Sequence, residues 1–311
     1  MAETVVIRAG SVLRDAAAEP SGPASITVTD GKITAIADGA PPAPEGARVV
    51  DLSGHTVLPG LIDLHVHLTG DPGNDFRNEA VEPDEWGVVV GAKNALVTLR
   101  AGFTTVREAG SAQYTAFSLR RGTAEWLVPG PRIVAAGPAL SIVGGHGDVT
   151  GFREDIHHAL DQGYTCTGAV QCAEKVRQAS RAGADLIKIT ATGGVLSQQG
   201  RGLGAHFNDP ELTAIADTAH SLGLKVMAHA HGARGVEAAA AAGIDTIDHG
   251  TMADEPAIRV MKKHGTYLVP TLMAFEGIKE RLGKGIYTPT VEAKVREVGS
   301  YVGTAVTTAK R

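Results

Sequence analysis

After Pro59-Gly60 the sequence alternates short apolar runs with helical stretches, seven times in one series. The runs are Leu61–His65, Thr104–Arg107, Arg132–Ala135, Leu186–Thr190, Lys225–Ala228, Thr246–Asp248 and Tyr267–Val269. Helix candidates lie at 84–100, 111–121, 170–182, 209–222, 233–242 and 254–264. Short strands separated by helices read as βα units, which build a parallel sheet. A series this long favours an α/β chain of the (β/α)8, TIM-like barrel class over a doubly wound sheet. Several helices carry their own punctuation. Asn208-Asp209-Pro210-Glu211 gives a cap with proline in the first turn, Gly223 closes that helix, and Asp254-Glu255-Pro256 opens another.

The stretch before the series has a different texture. Thr4–Ile7, Ser25–Thr29, Lys32–Ala37 and Arg48–Asp51 read as strands, and Asp30-Gly31 is a strong two-residue hairpin signal. Pro41, Pro42 and Pro44 stiffen one connection. Residues 1–57 are therefore expected to form a small antiparallel sheet module, and residues 58–311 the barrel. After Val269 a loop containing Gly283, Gly285 and Pro289 leads into a helical tail, Val291–Lys310.

Composition limits the function classes. The chain has 311 residues, 43% of them hydrophobic and 20% charged. A chain this size buries roughly 75% of its unfolded surface, so a large core is within reach and wholesale disorder is excluded. A net charge of −5 gives no nucleic-acid footprint. No run approaches the ~20 apolar residues of a membrane span, and MAETVVIRAG has no secretory pattern. The expectation is a soluble, cytoplasmic protein. Cys166 and Cys172 are far from a disulfide framework and read as ordinary thiols. The 39 glycines and 4% aromatics suit many tight strand–helix connections.

Histidines gather at the strand ends. His65 and His67 stand at i and i+2, so both point to the same side of their strand, at the end where such barrels place their chemistry. Two neutral imidazoles on one strand make half a zinc-type site. His229 and His231 follow Val226-Met227-Ala228, His249 follows Thr246-Ile247-Asp248, and Lys188 lies in Leu186–Thr190. A strand-end lysine commonly snorkels to solvent. Here Ile187 and Ile189 claim the opposite face, which turns Lys188 inward. A buried lysine loses its charge readily, and the neutral amine can take up carbon dioxide as a carbamate able to bridge two metals.

In this order the motifs resemble the amidohydrolase superfamily: Val57-Leu58-Pro59-Gly60-Leu61-Ile62-Asp63-Leu64-His65-Val66-His67, the lysine strand, then two histidine strands. The narrower likeness is to metal-dependent dipeptidases acting on Xaa-Pro, Xaa-Arg or Xaa-Lys and to ochratoxin-type amidases. Its cues are Gly144-Gly145-His146-Gly147-Asp148, Thr192-Gly193-Gly194-Val195-Leu196-Ser197, His229-Ala230-His231-Gly232, Asp248-His249-Gly250 and Val269-Pro270-Thr271. The resemblance implies that His65, His67, Lys188, His229 and His249 hold two divalent ions, in the first place Zn2+, with Lys188 as the bridging carbamate. It implies a metal-bridging hydroxide that attacks an amide beside a terminal carboxylate in a small-molecule amide or dipeptide. His231 would polarise the carbonyl, a place where several relatives carry tyrosine, and His146 would contact the substrate carboxylate. It also implies a homo-oligomer. Hydrolysis of a cyclic amide, as in imidazolonepropionase-like relatives, is the alternative reaction.

One expected element has no match. The family places an aspartate at the end of an eighth strand, and after His249 the only aspartate is Asp254, which reads as a helix cap. The barrel is thus expected to be incomplete at its C-terminus, and the first module to be half of a composite β-sandwich. Either the chain is a fragment or it is a short protein with its site filled otherwise. A catalytically inactive chain that still binds metal belongs to the same expectation. With two open sheet edges, such a chain is expected to be poorly soluble when expressed alone.

Overall fold

The structure is a computed structural model that describes residues 3–70, 76–112, 114–198, 200 and 202–309. It divides into two compact units, Met1–Leu61 and Ile62–Arg311.

In the first unit, β1 (Thr4–Val12), β2 (Ala24–Thr29), β3 (Lys32–Asp38) and β4 (Arg48–Val57) form one sheet in the order β3-β2-β1-β4. Asp30 and Gly31 close the β2–β3 hairpin with φ of 49° and 74°, the left-handed pair that a two-residue turn requires. The sheet is not purely antiparallel as the sequence suggested, because β4 runs parallel to β1. The proline-bearing stretch 39–47 carries the chain across the sheet, a connection that a tight hairpin cannot make.

The second unit carries the βα series. Its parallel strands are β5 (Leu61–Val66), β6 (Phe103–Glu108), β7 (Arg132–Ala135), β10 (Leu186–Thr190), β11 (Lys225–Gly232), β12 (Thr246–Met252) and β13 (Tyr267–Val269). Among the described residues they form two sheets, β5-β6-β7 and β10-β11-β12-β13, rather than one closed cylinder. A short pair, β8 (Ser141–Ile142) and β9 (Thr165–Cys166), stands between them in sequence. Leu140 links this region to β10. Its amide donates to the Lys188 carbonyl (2.8 Å), and its carbonyl accepts from the Thr190 amide (3.0 Å).

The helices are α1 (Asp84–Arg100), α2 (Thr115–Ala124), α3 (Glu154–Leu160), α4 (Ala169–Ala182), α5 (Asp209–Ser221), α6 (Ala233–Ala241), α7 (Glu255–His264), α8 (Leu272–Lys279), α9 (Pro289–Gly299) and α10 (Thr304–Ala309). Asn208 and Glu211 form a reciprocal capping box at α5. Asp254 caps α7 by accepting from the Ala257 amide (3.0 Å), and Gly265 ends it at φ 72°. None of the described helices is long and apolar enough to cross a membrane.

The tail is two helices, α9 and α10, because Gly303 turns left-handed at φ 82° between them; its expected last residue, Lys310, lies outside the described residues. The expected loop after Val269 contains α8, which starts directly after Thr271. Cys166 and Cys172 are not free thiols but a buried disulfide, since the turn from β9 into α4 brings their Cα atoms to 5.1 Å. The expected helix 111–121 crosses Gln113, outside the described residues, and the observed α2 begins at Thr115.

Candidate metal centre

Strand alternation sets the first part of the site. His65 and His67 bracket Val66, and His229 and His231 bracket the fully buried Ala230. Parallel pairing then puts Thr190 beside His229, and His229 beside Asp248. The six imidazoles meet in one cluster. Ring centroids are 5.2 Å apart for His65 and His67, and 4.9 Å for His65 and His249. They are 4.6 Å apart for His229 and His231, 4.7 Å for His229 and His249, and 4.2 Å for His146 and His229. His231 and His249 stack at 5.0 Å. One nitrogen from each of His229, His231 and His249 lies within 4.8 Å of the others. The cluster lines a cleft of about 1040 Å³ together with Lys188, which is 4% exposed.

His249 reaches this cluster by breaking the alternation. A regular strand would send Asp248 and His249 to opposite faces. His249 instead adopts φ 71° and Gly250 φ 56°. Both Asp248 and His249 therefore approach His65. A left-handed non-glycine residue costs ~1–3 kcal/mol and persists where neighbours hold it. Thr271, itself at φ 44°, holds this one through a 2.6 Å hydrogen bond between its hydroxyl and His249 Nδ1.

The five candidate imidazoles other than His146 are each tethered through one ring nitrogen. His67 Nδ1 bonds the Gly110 carbonyl (2.8 Å), His229 Nε2 the Gly193 carbonyl (3.2 Å), and His231 Nδ1 the Thr251 hydroxyl (2.9 Å). His65 Nδ1 makes a short bond to the Asp248 carboxylate. Carbonyl and carboxylate acceptors fix the proton on the tethered nitrogen and leave a lone pair on the other. That leaves Nε2 of His65 and His67 and Nδ1 of His229 as lone-pair donors. Nε2 of His249 makes no other bond among the described residues.

Electrostatics keep these rings neutral. Burial first, then the Lys188 charge, holds His65 far below the usual histidine range. Burial followed by neighbouring rings lowers His229 and His249 strongly. Burial brings His231 to about 4 and His146 to about 3. Burial also brings the Lys188 amine down to about 8 and pushes the Glu108 carboxyl up to about 8. Neutral imidazoles are the form that binds a metal. Glu108 is fully buried. Its Oε2 accepts from the Leu68 amide (2.6 Å), while Oε1 has no hydrogen-bond partner among the described residues and lies 3.8 Å from His67 Nδ1. Borderline imidazole nitrogens and the Glu108 carboxyl beside His67, gathered at a large cleft, fit a divalent transition ion.

The structure thus gathers His65, His67, Lys188, His229 and His249 with His231 and His146. Asp254 instead serves as a helix cap. The sequence reading gave no role to Arg107, Glu108, Asp248 or Thr271. Asp248 is fully buried and accepts from Arg107 Nη2 (3.1 and 3.3 Å), while Arg107 Nε donates to the Leu64 carbonyl (2.6 Å). The signal available in sequence was a charged pair, Arg107-Glu108, ending an apolar strand.

Gly194 supports His146 from below. A Cβ on Gly194 would fall 2.1 Å from His146 Cε1. Gly194→Ala is expected to push the ring aside and cost about 1–3 kcal/mol, the usual range for overpacking. Thermal unfolding checks the cost, and the His146 ring signal in an NMR spectrum checks the displacement.

Comparison with known proteins comes from sequence and from coordinates. Residues 56–298 match the profile described as the Amidohydrolase family. Ochratoxinase of Aspergillus niger is 31% identical over 309 aligned residues, covering 92% of this chain and 62% of its own. The chain therefore spans less than two thirds of the length of that curated relative. A solved Xaa-Pro dipeptidase with methionine bound in its active site superimposes with a TM-score of 0.92 at 34% identity, over 99% of this chain and 77% of that one. A prolidase solved in complex with N-methylphosphonate-L-proline gives a TM-score of 0.87 at 29% identity, over 99% and 76%.

Proposed function

The chain belongs to the amidohydrolase family, and from that premise we propose that it hydrolyses an amide bond beside a terminal carboxylate in a small, dipeptide-like substrate. Two divalent ions, zinc in the first place, would be held by His65, His67, Lys188, His229 and His249. The observation that carries this reading is the tethering of His65, His67 and His229 through one ring nitrogen each to a carboxylate or carbonyl, with the other nitrogen left as a donor. When bound, the ions supply Lewis acidity that polarises the amide carbonyl and acidifies the attacking water.

The chain's own residues do the rest. Lys188, brought down to about 8 by burial, has a neutral fraction near physiological pH. Its Nζ attacks carbon dioxide, an N–C bond forms, and the nitrogen releases a proton to give the carbamate. His231 Nδ1 is hydrogen-bonded to the Thr251 hydroxyl, and with that hydroxyl as the donor the ring proton would sit on Nε2, the atom that would polarise the scissile carbonyl. His146, on the glycine-rich loop, would meet the substrate carboxylate. Relatives with Xaa-Pro dipeptidase, prolidase and ochratoxinase activity support the amide class.

Elemental analysis of protein purified without chelator tests the centre. About two divalent ions per chain are expected, as in two-metal hydrolases. Fewer than about half an ion per chain would overturn the site. A panel of Xaa-Pro, Xaa-Arg and Xaa-Lys dipeptides beside cyclic imides tests the reaction. Turnover confined to the cyclic imides would replace a dipeptide by a cyclic amide as substrate. Bound metal with no turnover of either would mark an inactive chain.

A further inference from the structure

We propose that Lys294, on α9, is a positioning residue for the candidate centre, acting through the loop Gly193–Ser197 on His146 and His229. The inference rests on the proposed roles of those two histidines.

Lys294 is 5% exposed, on a helix whose Val291 and Val298 line the cleft. Its ammonium donates to the Gly194 carbonyl (2.8 Å) and the Ser197 carbonyl (2.6 Å), with the Ser197 hydroxyl at 3.4 Å. The Ser197 hydroxyl in turn donates to the Gly194 carbonyl (3.1 Å). These bonds converge on one short loop that directly follows the Lys188 strand. The same helix grips the loop by apolar contact, since Val291, Val295 and Val298 share a buried cluster with Val195 and Leu203. Thr288, the α9 cap, adds a bond from its hydroxyl to Gln198 Oε1 (2.8 Å).

What this loop touches gives the lysine its role. The Gly193 carbonyl accepts from His229 Nε2 and so selects the tautomer that leaves Nδ1 as a donor. The backbone of Gly194 is the surface against which the His146 ring rests. Lys294 therefore bonds the residue adjacent to one contact and the very residue that makes the other. Its reach spans a hundred positions of sequence, from α9 back to Gly194. A loop freed of these bonds regains backbone freedom. Both rings would then lose their fixed seats.

Lys294→Met in the full chain tests this. The ring nitrogens of metal-free, 15N-histidine-labelled protein report tautomer and seating, with signals assigned from His229→Gln and His146→Gln variants. The expected result is that His229 and His146 shift or divide between tautomers while His65 and His67 keep their signals. Divalent zinc affinity, read by competition with a chromophoric chelator, is expected to fall about tenfold or more, the usual effect of losing a group that orients a ligand. Val295→Ala loosens the same helix without cutting the bonds, and is expected to lower the melting temperature with all ring signals unchanged. If Lys294→Met leaves His229 and His146 as they are in Val295→Ala, the lysine is a structural pin only and the proposal falls. Should Lys294→Met fail to fold, Lys294→Gln, which keeps a donor without the charge, is read the same way. The ring signals need no metal and no substrate. A wild-type chain that binds no zinc would sink the proposed function while leaving this readout intact.

Discussion

Lys188→Ala is expected to lower amide hydrolysis on the order of 10³-fold or more and to reduce the metal content of the purified chain. The side chain is 4% exposed at the centre of six imidazoles, and its charge lowers the basicity of His65, His146, His229, His231 and His249 after burial has done most of the work. Loss of the proposed bridging carbamate would remove several kcal/mol of charge stabilisation, and each 1.36 kcal/mol is a factor of ten in rate. In the metal-free chain the substitution removes a buried amine whose charged form burial disfavours, so the folded chain is expected to tolerate it. Elemental analysis and turnover of the preferred dipeptide check the two halves. Unchanged turnover with unchanged metal content would remove Lys188 from the centre. Short-chain carboxylates added to the Lys188→Ala protein are expected to restore part of the activity by standing in for the carbamate.

Arg107→Met is expected to destabilise the chain by about 3–5 kcal/mol, the cost of leaving a buried carboxylate without its partner. Asp248 is fully buried, and burial raises its carboxyl above the usual range against the opposing pull of Lys188 and Arg107. Arg107 binds the Leu64 carbonyl on β5, the Thr246 hydroxyl (3.1 Å) and Asp248 on β12. It thereby joins strands of both sheets across the interior. Denaturant unfolding measures the loss. In the double variant Arg107→Met/Asp248→Leu much of the stability is expected to return, because no charge is left stranded. Metal affinity is not expected to return with it, since His65 then lacks the carboxylate that orients its ring. A single-variant loss below about 1 kcal/mol would mean that water screens the pair as at a surface.

Much of the architecture was written in local sequence. The Asp30-Gly31 hairpin, the Asn208/Glu211 capping box and the Asp254 cap depend on residues within a few positions of one another, and each forms as its chemistry dictates. The strand pairs His65/His67 and His229/His231 follow from the two-residue period alone. Where the reading failed, contacts from distant segments decided. The parallel pairing of β4 with β1 needs a connection across the sheet. The division of the tail at Gly303 and the appearance of α8 depend on packing against Val195 and Leu203, far back in the chain. The cysteines, six positions apart, meet because β9 turns at once into α4.

The sequence by itself determined which strands carry the donors and which end of the strands they occupy, because alternation and βα order are properties of the chain. Only the tertiary structure decided which nitrogen of each histidine is free. For His65, His67 and His229 that choice lies with Asp248, Gly110 and Gly193, whose bonds reach across 183, 43 and 36 positions respectively. It also decided that His249 joins the cluster, since a left-handed backbone held by Thr271 overrides the alternation that would have kept it apart from Asp248. A hydrogen bond depends on angle and distance to within tenths of an ångström. Separations of tens of residues fix neither until the core has packed.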